Sequence, residues 1–201
     1  MRAGWREALV AYLRVEARPV EKFGHQPRLY ALTRQIGETL VYDDDVVFAA
    51  CWLHDLGVFV GHRPEDPVEL AAWDNTAYAV EKTPGILGGM GFPVEKISLV
   101  VEAIRTHQPT GEPGSIEGVI LRDADILEQL GAVGILRTVC KVGRDTRFHT
   151  LTDAVGALRR AVEVLPGQVR LASARALMEA RVTALREFLG AVGVEAGELL
   201  F

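Results

Sequence analysis

The sequence predicts an all-α protein, and two observations support that prediction. Apolar residues recur every three or four positions along nearly the whole chain, which is the period of an amphipathic helix. Neither Asn-Gly nor Asp-Gly, the usual signals of a tight β-hairpin, occurs in it. No internal repeat or long flexible linker divides the 201 residues. We therefore expect one domain over 1–201, with a core over about 20–145 and C-terminal helices over about 150–192.

The first two helices are predicted from their apolar stripes. One runs from about Trp5 to Ala17 and is stopped by Pro19, because proline cannot continue a helix. The second begins near His25. Its stripe consists of Leu29, Leu32, Ile36 and Leu40.

The third helix is predicted from its two ends. Asp43 has the side chain of an N-cap, and the acidic residues 44 and 45 suit the positive end of the helix dipole. The uncharged stretch "VVFAACWL" follows, and Gly57 is expected at the C′ position that ends the helix.

Caps and breakers divide the rest of the chain. Asp66 and Pro67 predict a helix start, and this helix is expected to continue to about residue 89 with a kink or break at Pro84. Thr150 predicts the cap of another helix. The remaining helical patterns cover 92–108, 115–131 and 132–143, and two more, broken at "LPGQ", reach about 192.

Composition excludes several classes of function. The net charge of −5 and the lack of a long basic run argue against binding a nucleic acid polymer. Cys51 and Cys140 both lie in apolar helical patterns, so we expect no disulfide framework and a reducing compartment. The first residues are interrupted by charges, unlike a signal peptide, and no apolar run approaches the ~18 residues of a membrane span. We expect a cytoplasmic protein without a membrane partner.

Three predicted helices each place a histidine at one end of a buried face. His25 heads the stripe of the second helix, His54 ends a face of the third, and His107 ends the stripe of the helix over 92–108. Asp55 continues a neighbouring buried face, where a carboxylate costs several kcal/mol unless it is paired or coordinated. One divalent cation would satisfy His25, His54 and Asp55 together. A lone buried histidine is more often a hydrogen-bonded core residue, so the interpretation depends on the whole set, which includes "RDAD" at 122–125.

With these residues the sequence resembles the HD-domain superfamily of metal-dependent phosphohydrolases, in particular a bacterial branch of small single-domain members. The signature H…HD…D falls on His25, His54–Asp55 and Asp125. Five segments resemble that branch in order: "FGHQPRLYALTRQIG", "DDDVVFAACWLHDLG", "GFPVEKISLVVEAIRTHQPTG", "LRDADILEQLGAVGIL" and "SARALMEARVTALREFL". The resemblance implies an HD-domain-like helical bundle whose central metal site uses these four signature residues. Two imidazoles and two carboxylates suit one divalent ion among Mn, Mg, Fe, Co, Ni and Zn.

The resemblance also implies an activity. We expect hydrolysis of a phosphate ester or anhydride of a small metabolite, with a nucleotide as the favoured substrate, because a bound divalent ion activates water and neutralises phosphoryl oxygens. His107 is the candidate for proton transfer and for contact with the substrate. Arg28, one turn after His25, is a candidate for binding a phosphate oxygen. A homodimer is left open.

Asp123 and Asp125 point in nearly opposite directions on one predicted helix. The helix's own apolar stripe places Asp123 inward, whereas the family match favours Asp125. We follow the match and expect Asp125 to bind the metal. Asp123 then becomes a catalytic support residue that orients His107.

Departures from the family pattern leave alternatives open. Many relatives carry Lys or Glu shortly after HD, whereas "HDLGVFV" is apolar here. Near one position where two-metal relatives have a histidine, this chain has Asp74. His62 follows His54 too closely to serve as that missing histidine, so one metal is expected. The alternatives are a di-iron oxygenase, which needs a second metal on His107, and a non-catalytic metal-stabilised domain that binds a nucleotide or a partner protein.

Overall fold

The computed structural model describes residues 4–144, 148–197 and 200. In this part of the chain all regular secondary structure is helical, with no β-strand, which confirms the all-α class. The helices are α1 (Trp5–Glu16), α2 (His25–Ile36), α3 (Asp44–Leu53), α4 (Pro67–Ala71), α5 (Asn75–Met90), α6 (Ile97–Thr106), α7 (Ile116–Glu128), α8 (Gly131–Val139), α9 (Leu151–Val164) and α10 (Ala172–Ala196). The chain divides into two compact units, residues 1–122 and 123–201. The single domain therefore stays a prediction, and its expected core boundary near 145 lies outside the described residues.

Helix α3 is the centre of the first unit. Every residue from Val46 to Leu53 is buried, as expected for a helix that is apolar on all sides. Helices α1, α2 and α6 pack against it. Because α3 is enclosed, the residues that follow its last turn begin inside the unit rather than at its surface.

The N-terminal end of α3 is fixed by charges. Asp43 caps the helix, as predicted, by accepting a hydrogen bond from the backbone N–H of Asp45 at 3.0 Å. Arg6 of α1 donates to Asp44 at 2.9 Å and to Asp45 at 2.6 Å. Lys96, just before α6, pairs with Asp43 at 2.7 Å and with Asp45 at 3.1 Å. Helices α1 and α6 are thus both tied to the first turn of α3.

Two predicted helix ends are wrong, and in each case a glycine packs closely against a later residue. Helix α2 ends at Ile36, so Leu40 lies beyond it; a Cβ at the C-cap Gly37 would collide with the ring of Tyr42. Helix α3 ends at Leu53, so Gly57 is not its C′ residue but part of a 3-10 turn, Leu56–Val58. A Cβ at Gly57 would lie 2.6 Å from the backbone oxygen of Asn75, which explains why glycine fits there.

The helix predicted from Asp66 is in fact two helices. Asp66 caps α4 and Pro67 is at its start, as predicted, but α4 ends at Ala71. Asp74 then caps α5 by accepting from the N–H of Ala77 at 2.8 Å. Helix α5 runs through Pro84 without interruption, so of the predicted kink or break at Pro84 the break is wrong.

The second unit contains the end of α7 and helices α8, α9 and α10. Helices α8, α9 and α10 pack on one another. Thr150 caps α9 in a reciprocal capping box with Asp153, so the predicted cap is confirmed. A buried Glu128 carboxylate pairs with Arg137 at 2.7 Å. Helix α10 is 25 residues long, yet neither it nor any other described helix is apolar enough over its length to cross a membrane.

Candidate metal centre

His54 and His107 occupy equivalent positions at the ends of two helices. His54 is the C-cap residue of α3 and His107 that of α6. Nδ1 of His54 is 3.0 Å from the oxygen of Cys51, and Nδ1 of His107 is 2.6 Å from the oxygen of Ile104. These carbonyls belong to the last helical turn, where partners within the helix run out. Because a carbonyl oxygen only accepts, Nδ1 donates and Nε2 carries the lone pair in each neutral ring.

His25, His54 and Asp55 converge in the first unit. Nε2 of His25, the first residue of α2, is 3.2 Å from Nε2 of His54. Oδ2 of Asp55 is 3.6 Å from each of these two nitrogens. Both rings are buried, and the side chain of Asp55 keeps 22% of its exposure. The structure therefore brings together the three side chains that the sequence aligned with buried helix faces.

The three converging atoms fit a divalent metal ion. Ligand atoms that share one ion at about 2.1 Å lie about 3.0–3.4 Å apart, close to the separations found here. Two imidazole lone pairs and a carboxylate repel one another at such distances unless a proton or a cation lies between them. The C-terminal end of α3 adds negative potential at the same place. Two imidazole nitrogens with a carboxylate oxygen form a donor set that first-row transition metals accept.

His107 lies beside this group. Its ring centroid is 5.0 Å from that of His54. His54, Asp55 and His107 each offer one ligand atom, and these atoms lie within 4.8 Å of one another. Gln108 follows directly, with its amide nitrogen 3.2 Å from Nε2 of His107. His107 is therefore placed to contact a molecule bound at the metal.

The loop after His107 is held in place by two anchors within the first unit. The Glu102 carboxylate accepts from the N–H of Gly114 at 2.8 Å and from the hydroxyl of Ser115 at 3.1 Å. Arg122, which is fully buried, donates to the oxygen of Pro109. A Cβ at Gly111 would collide with the backbone oxygen of Thr106, so the turn requires glycine.

The remaining predicted site residues, Asp123, Asp125 and Arg28, differ in how deeply they are buried. Asp123 and Asp125 are both buried on α7, so both faces of this helix are covered. Asp123 accepts from the N–H of Arg170 at 3.0 Å and from that of Leu171 at 2.7 Å. These bonds hold the start of α10, and the predicted role of Asp123 in orienting His107 stays a prediction. Arg28 is exposed on α2.

Sequence reasoning missed residues that fix the turn after Asp55 and the surroundings of His107. Trp73 donates from Nε1 to the oxygen of Gly57 at 2.8 Å and so fixes that turn. Gln108 was missed because its only signal is that it follows His107 in the chain. His62 lies outside the group: it hydrogen-bonds to the hydroxyl of Tyr78 at 3.0 Å and the carboxylate of Glu16 at 2.8 Å.

Comparison with known proteins identifies the family. The HD-domain family model matches residues 23–130, which include α2, α3, α6 and α7 and all four positions of the signature. The chain therefore belongs to the HD-domain family. No match was found among curated proteins.

Solved structures agree with this fold over nearly the whole chain. A predicted HD superfamily hydrolase from an uncultured Thermotogales bacterium is 23% identical, with a TM-score of 0.65 over 98% of this chain and 95% of that one. YpgQ from Bacillus subtilis is 21% identical, with a TM-score of 0.73 over 97% of both chains. The same YpgQ in complex with ADP matches with 20% identity and a TM-score of 0.71, over 96% of this chain and 99% of that one. At these identities the likeness shows the fold.

Proposed function

We propose that this protein is a metal-dependent phosphohydrolase with one divalent ion held by His25, His54, Asp55 and Asp125. The observation that supports it most is the convergence of Nε2 of His25, Nε2 of His54 and Oδ2 of Asp55 within 3.6 Å. Asp125 is added because it completes the family signature and is buried on α7. When bound, such an ion activates water and neutralises phosphoryl charge.

The chain's own residues supply binding and proton transfer. His107, with Nδ1 held by the oxygen of Ile104, has Nε2 beside the metal ligands and is proposed to exchange a proton with the substrate when the exposed Gln108 side chain, whose amide lies 3.2 Å from Nε2, turns away. Arg28 lies one turn after His25 on an exposed part of α2. Its guanidinium is proposed to bind a phosphate group in bidentate fashion, through two N–H groups.

We propose a nucleotide as the substrate class. The ADP complex of YpgQ, which has the same fold, supports a nucleotide ligand. Because the chain has a net charge of −5, an anionic phosphate would need local positive charge at the site. The bound cation and the exposed arginine would supply it. The cytoplasmic location and a homodimeric assembly stay predictions.

Replacement of the central ligands tests the proposal. We expect His54→Ala and Asp55→Ala to lose the bound ion and at least about 100-fold of phosphatase activity, because losing even a residue that only supports a ligand costs 10- to 100-fold. The measurements are metal content by mass spectrometry and turnover in a panel of nucleotides and phosphate esters with Mn²⁺, Mg²⁺, Ni²⁺, Co²⁺ and Zn²⁺.

The matched control is His149→Ala, since that histidine is exposed just before α9. It is expected to retain metal and activity. Full metal-dependent activity in His54→Ala would contradict the proposal, and so would a wild-type protein that turns over no compound in the panel.

A second candidate is a di-iron oxygenase. The set of His54, Asp55 and His107, whose ligand atoms lie within 4.8 Å, is the observation that favours a second metal. Two irons per chain with oxygen consumption would support it, whereas one Mn, Mg or Zn per active chain would contradict it. Turnover of any substrate would exclude the non-catalytic alternative.

A further inference from the structure

Gln108 bridges two side chains next to the candidate metal centre. Its amide nitrogen is 3.2 Å from Nε2 of His107 and 3.4 Å from the hydroxyl oxygen of Thr76, in the first turn of α5. Since Nδ1 of His107 donates to the oxygen of Ile104, Nε2 is the acceptor and the amide is the donor. The amide thus directs one hydrogen at each partner.

We propose that Gln108 limits the metal centre to one ion by occupying the lone pair of His107. The inference rests on the proposed metal centre. A second ion would need His107, together with Asp55, as a ligand. An ion bound to Nε2 lies about 2.1 Å along the lone pair, where the amide hydrogen of Gln108 already points. The ion and the amide therefore exclude each other.

The amide of Gln108 and a second ion compete for Nε2 of His107. Gln108 is exposed, so its side chain can turn away into solvent once the two hydrogen bonds are broken. One net hydrogen bond corresponds to roughly a three- to tenfold change in an equilibrium constant. Removing the amide should therefore tighten binding of a second ion by roughly that factor and leave the first ion unaffected.

The test compares Mn²⁺ binding by the full-length wild type, Gln108→Leu, Thr76→Val and the double variant His107→Ala/Gln108→Leu. Leucine keeps much of the glutamine side chain's bulk but has no donor. In Gln108→Leu we expect the second Mn²⁺ to bind roughly three- to tenfold more tightly than in the wild type. The measurements are calorimetric titration, metal count by mass spectrometry and the electron paramagnetic resonance signal of a coupled Mn²⁺ pair. Thr76→Val, which loosens the amide without removing it, should show a smaller gain, and the double variant none.

Each outcome decides a separate point. A wild type that binds no Mn²⁺ would overturn the proposed function itself. A wild type with one tight ion and a Gln108→Leu variant whose second site is no tighter would overturn the role of Gln108 alone. A gain that persists in the double variant would do the same, because the ion would then not be using His107. If Gln108→Leu is not folded by circular dichroism, Thr76→Val decides: no gain there overturns the inference.

Discussion

Single residues set the direction of the lone pairs at the candidate metal centre. His54 and His107 both end a helix, and both donate from Nδ1 to the carbonyl three residues earlier. A histidine at a C-cap thus hydrogen-bonds to a carbonyl of the last helical turn and directs Nε2 away from its own helix. The orientation of each ring follows from its helix end before any ion is bound, which lowers the entropic cost of binding one.

Gly57 is the residue whose replacement should disturb this arrangement indirectly. In Gly57→Ala the new Cβ would lie 2.6 Å from the oxygen and 2.8 Å from the Cα of Asn75, which are backbone atoms that cannot turn aside. We expect a destabilisation of about 1–3 kcal/mol, the usual cost of overpacking, and weaker Mn²⁺ binding because His54 and Asp55 directly precede the turn. Thermal unfolding and Mn²⁺ titration measure the two effects.

Gly85→Ala is the matched control for that variant. Gly85 lies inside α5, and among the described residues, its two chain neighbours and its own helical backbone apart, no atom would lie within 4 Å of a Cβ added there. Alanine there should stabilise the helix by about 0.5–1 kcal/mol and leave Mn²⁺ binding unchanged. Equal Tm values for Gly57→Ala and the wild type would show that the turn can give way.

At the scale of elements, helix α3 is held by charges at its first turn and delivers His54 and Asp55 at its last. Arg6 contacts Asp44 and Asp45, and it also stacks on the ring of Phe48 with 4.6 Å between the guanidinium carbon and the ring centroid. The hydrogen bond from Arg6 lowers the pKa of Asp45 below its ordinary 3.8, although burial opposes it. Burial alone would raise the pKa of Asp44, but the hydrogen bonds from Arg6, Tyr30 and Arg34 lower it overall.

Arg6→Ala should therefore destabilise the protein in a pH-dependent way. A carboxylate whose pKa is lowered on folding contributes stability above its unfolded pKa and loses it as the pH falls through the folded pKa. We expect Arg6→Ala to cost about 1 kcal/mol at pH 7 after solvent screening, or about 2–4 °C in Tm. As the pH falls below about 4 the difference from the wild type should begin to shrink, and below the lowered folded pKa values of Asp44 and Asp45 only the part due to the lost stacking on Phe48 should remain.

Lys82→Ala is the control, because Lys82 forms an exposed pair with the neighbouring Glu81. Its Tm should match that of the wild type at every pH. If Arg6→Ala lowers the Tm by the same amount at pH 3 and pH 7, packing rather than charge accounts for the role of Arg6.

The same elements show what the sequence determines and what it does not. Helix starts capped by Asp43, Asp66 and Thr150 were predicted because an N-cap depends only on local residue types. The end of α3 was predicted wrongly because Gly57 is required by contact with Asn75, which is distant in the chain. The convergence of His25, His54 and Asp55 followed from helix faces. Gln108 could not be found in this way, because its role depends on contacts rather than on periodicity.

For the whole molecule, the division of the chain falls within α7. Residues 1–122 form one unit and 123–201 the other, and Asp123 and Asp125 are both at the start of the second unit. Within that unit Asp123 accepts from the N–H groups of Arg170 and Leu171, just before α10. Two carboxylates two residues apart are therefore proposed to have different tasks: Asp123 stabilises the second unit, and Asp125 binds the metal.

The two tasks predict opposite results for two substitutions. Asp123→Ala leaves two backbone N–H groups without their acceptor, and we expect a loss of about 2–4 kcal/mol in the free energy of unfolding of the metal-free protein, with Mn²⁺ binding retained. Asp123→Asn keeps an acceptor and should lose less. Asp125→Ala should leave the metal-free Tm nearly unchanged but lose the increase in Tm on adding Mn²⁺, which for an ion at 100 times its Kd is worth about 2.7 kcal/mol. Thermal unfolding with Mn²⁺ and with chelator measures both. If Asp123→Ala lost the Mn²⁺-induced increase in Tm while Asp125→Ala kept it, the two assignments would be exchanged. The apolar stripe of α7 would then be a better guide to the metal ligand than the family signature.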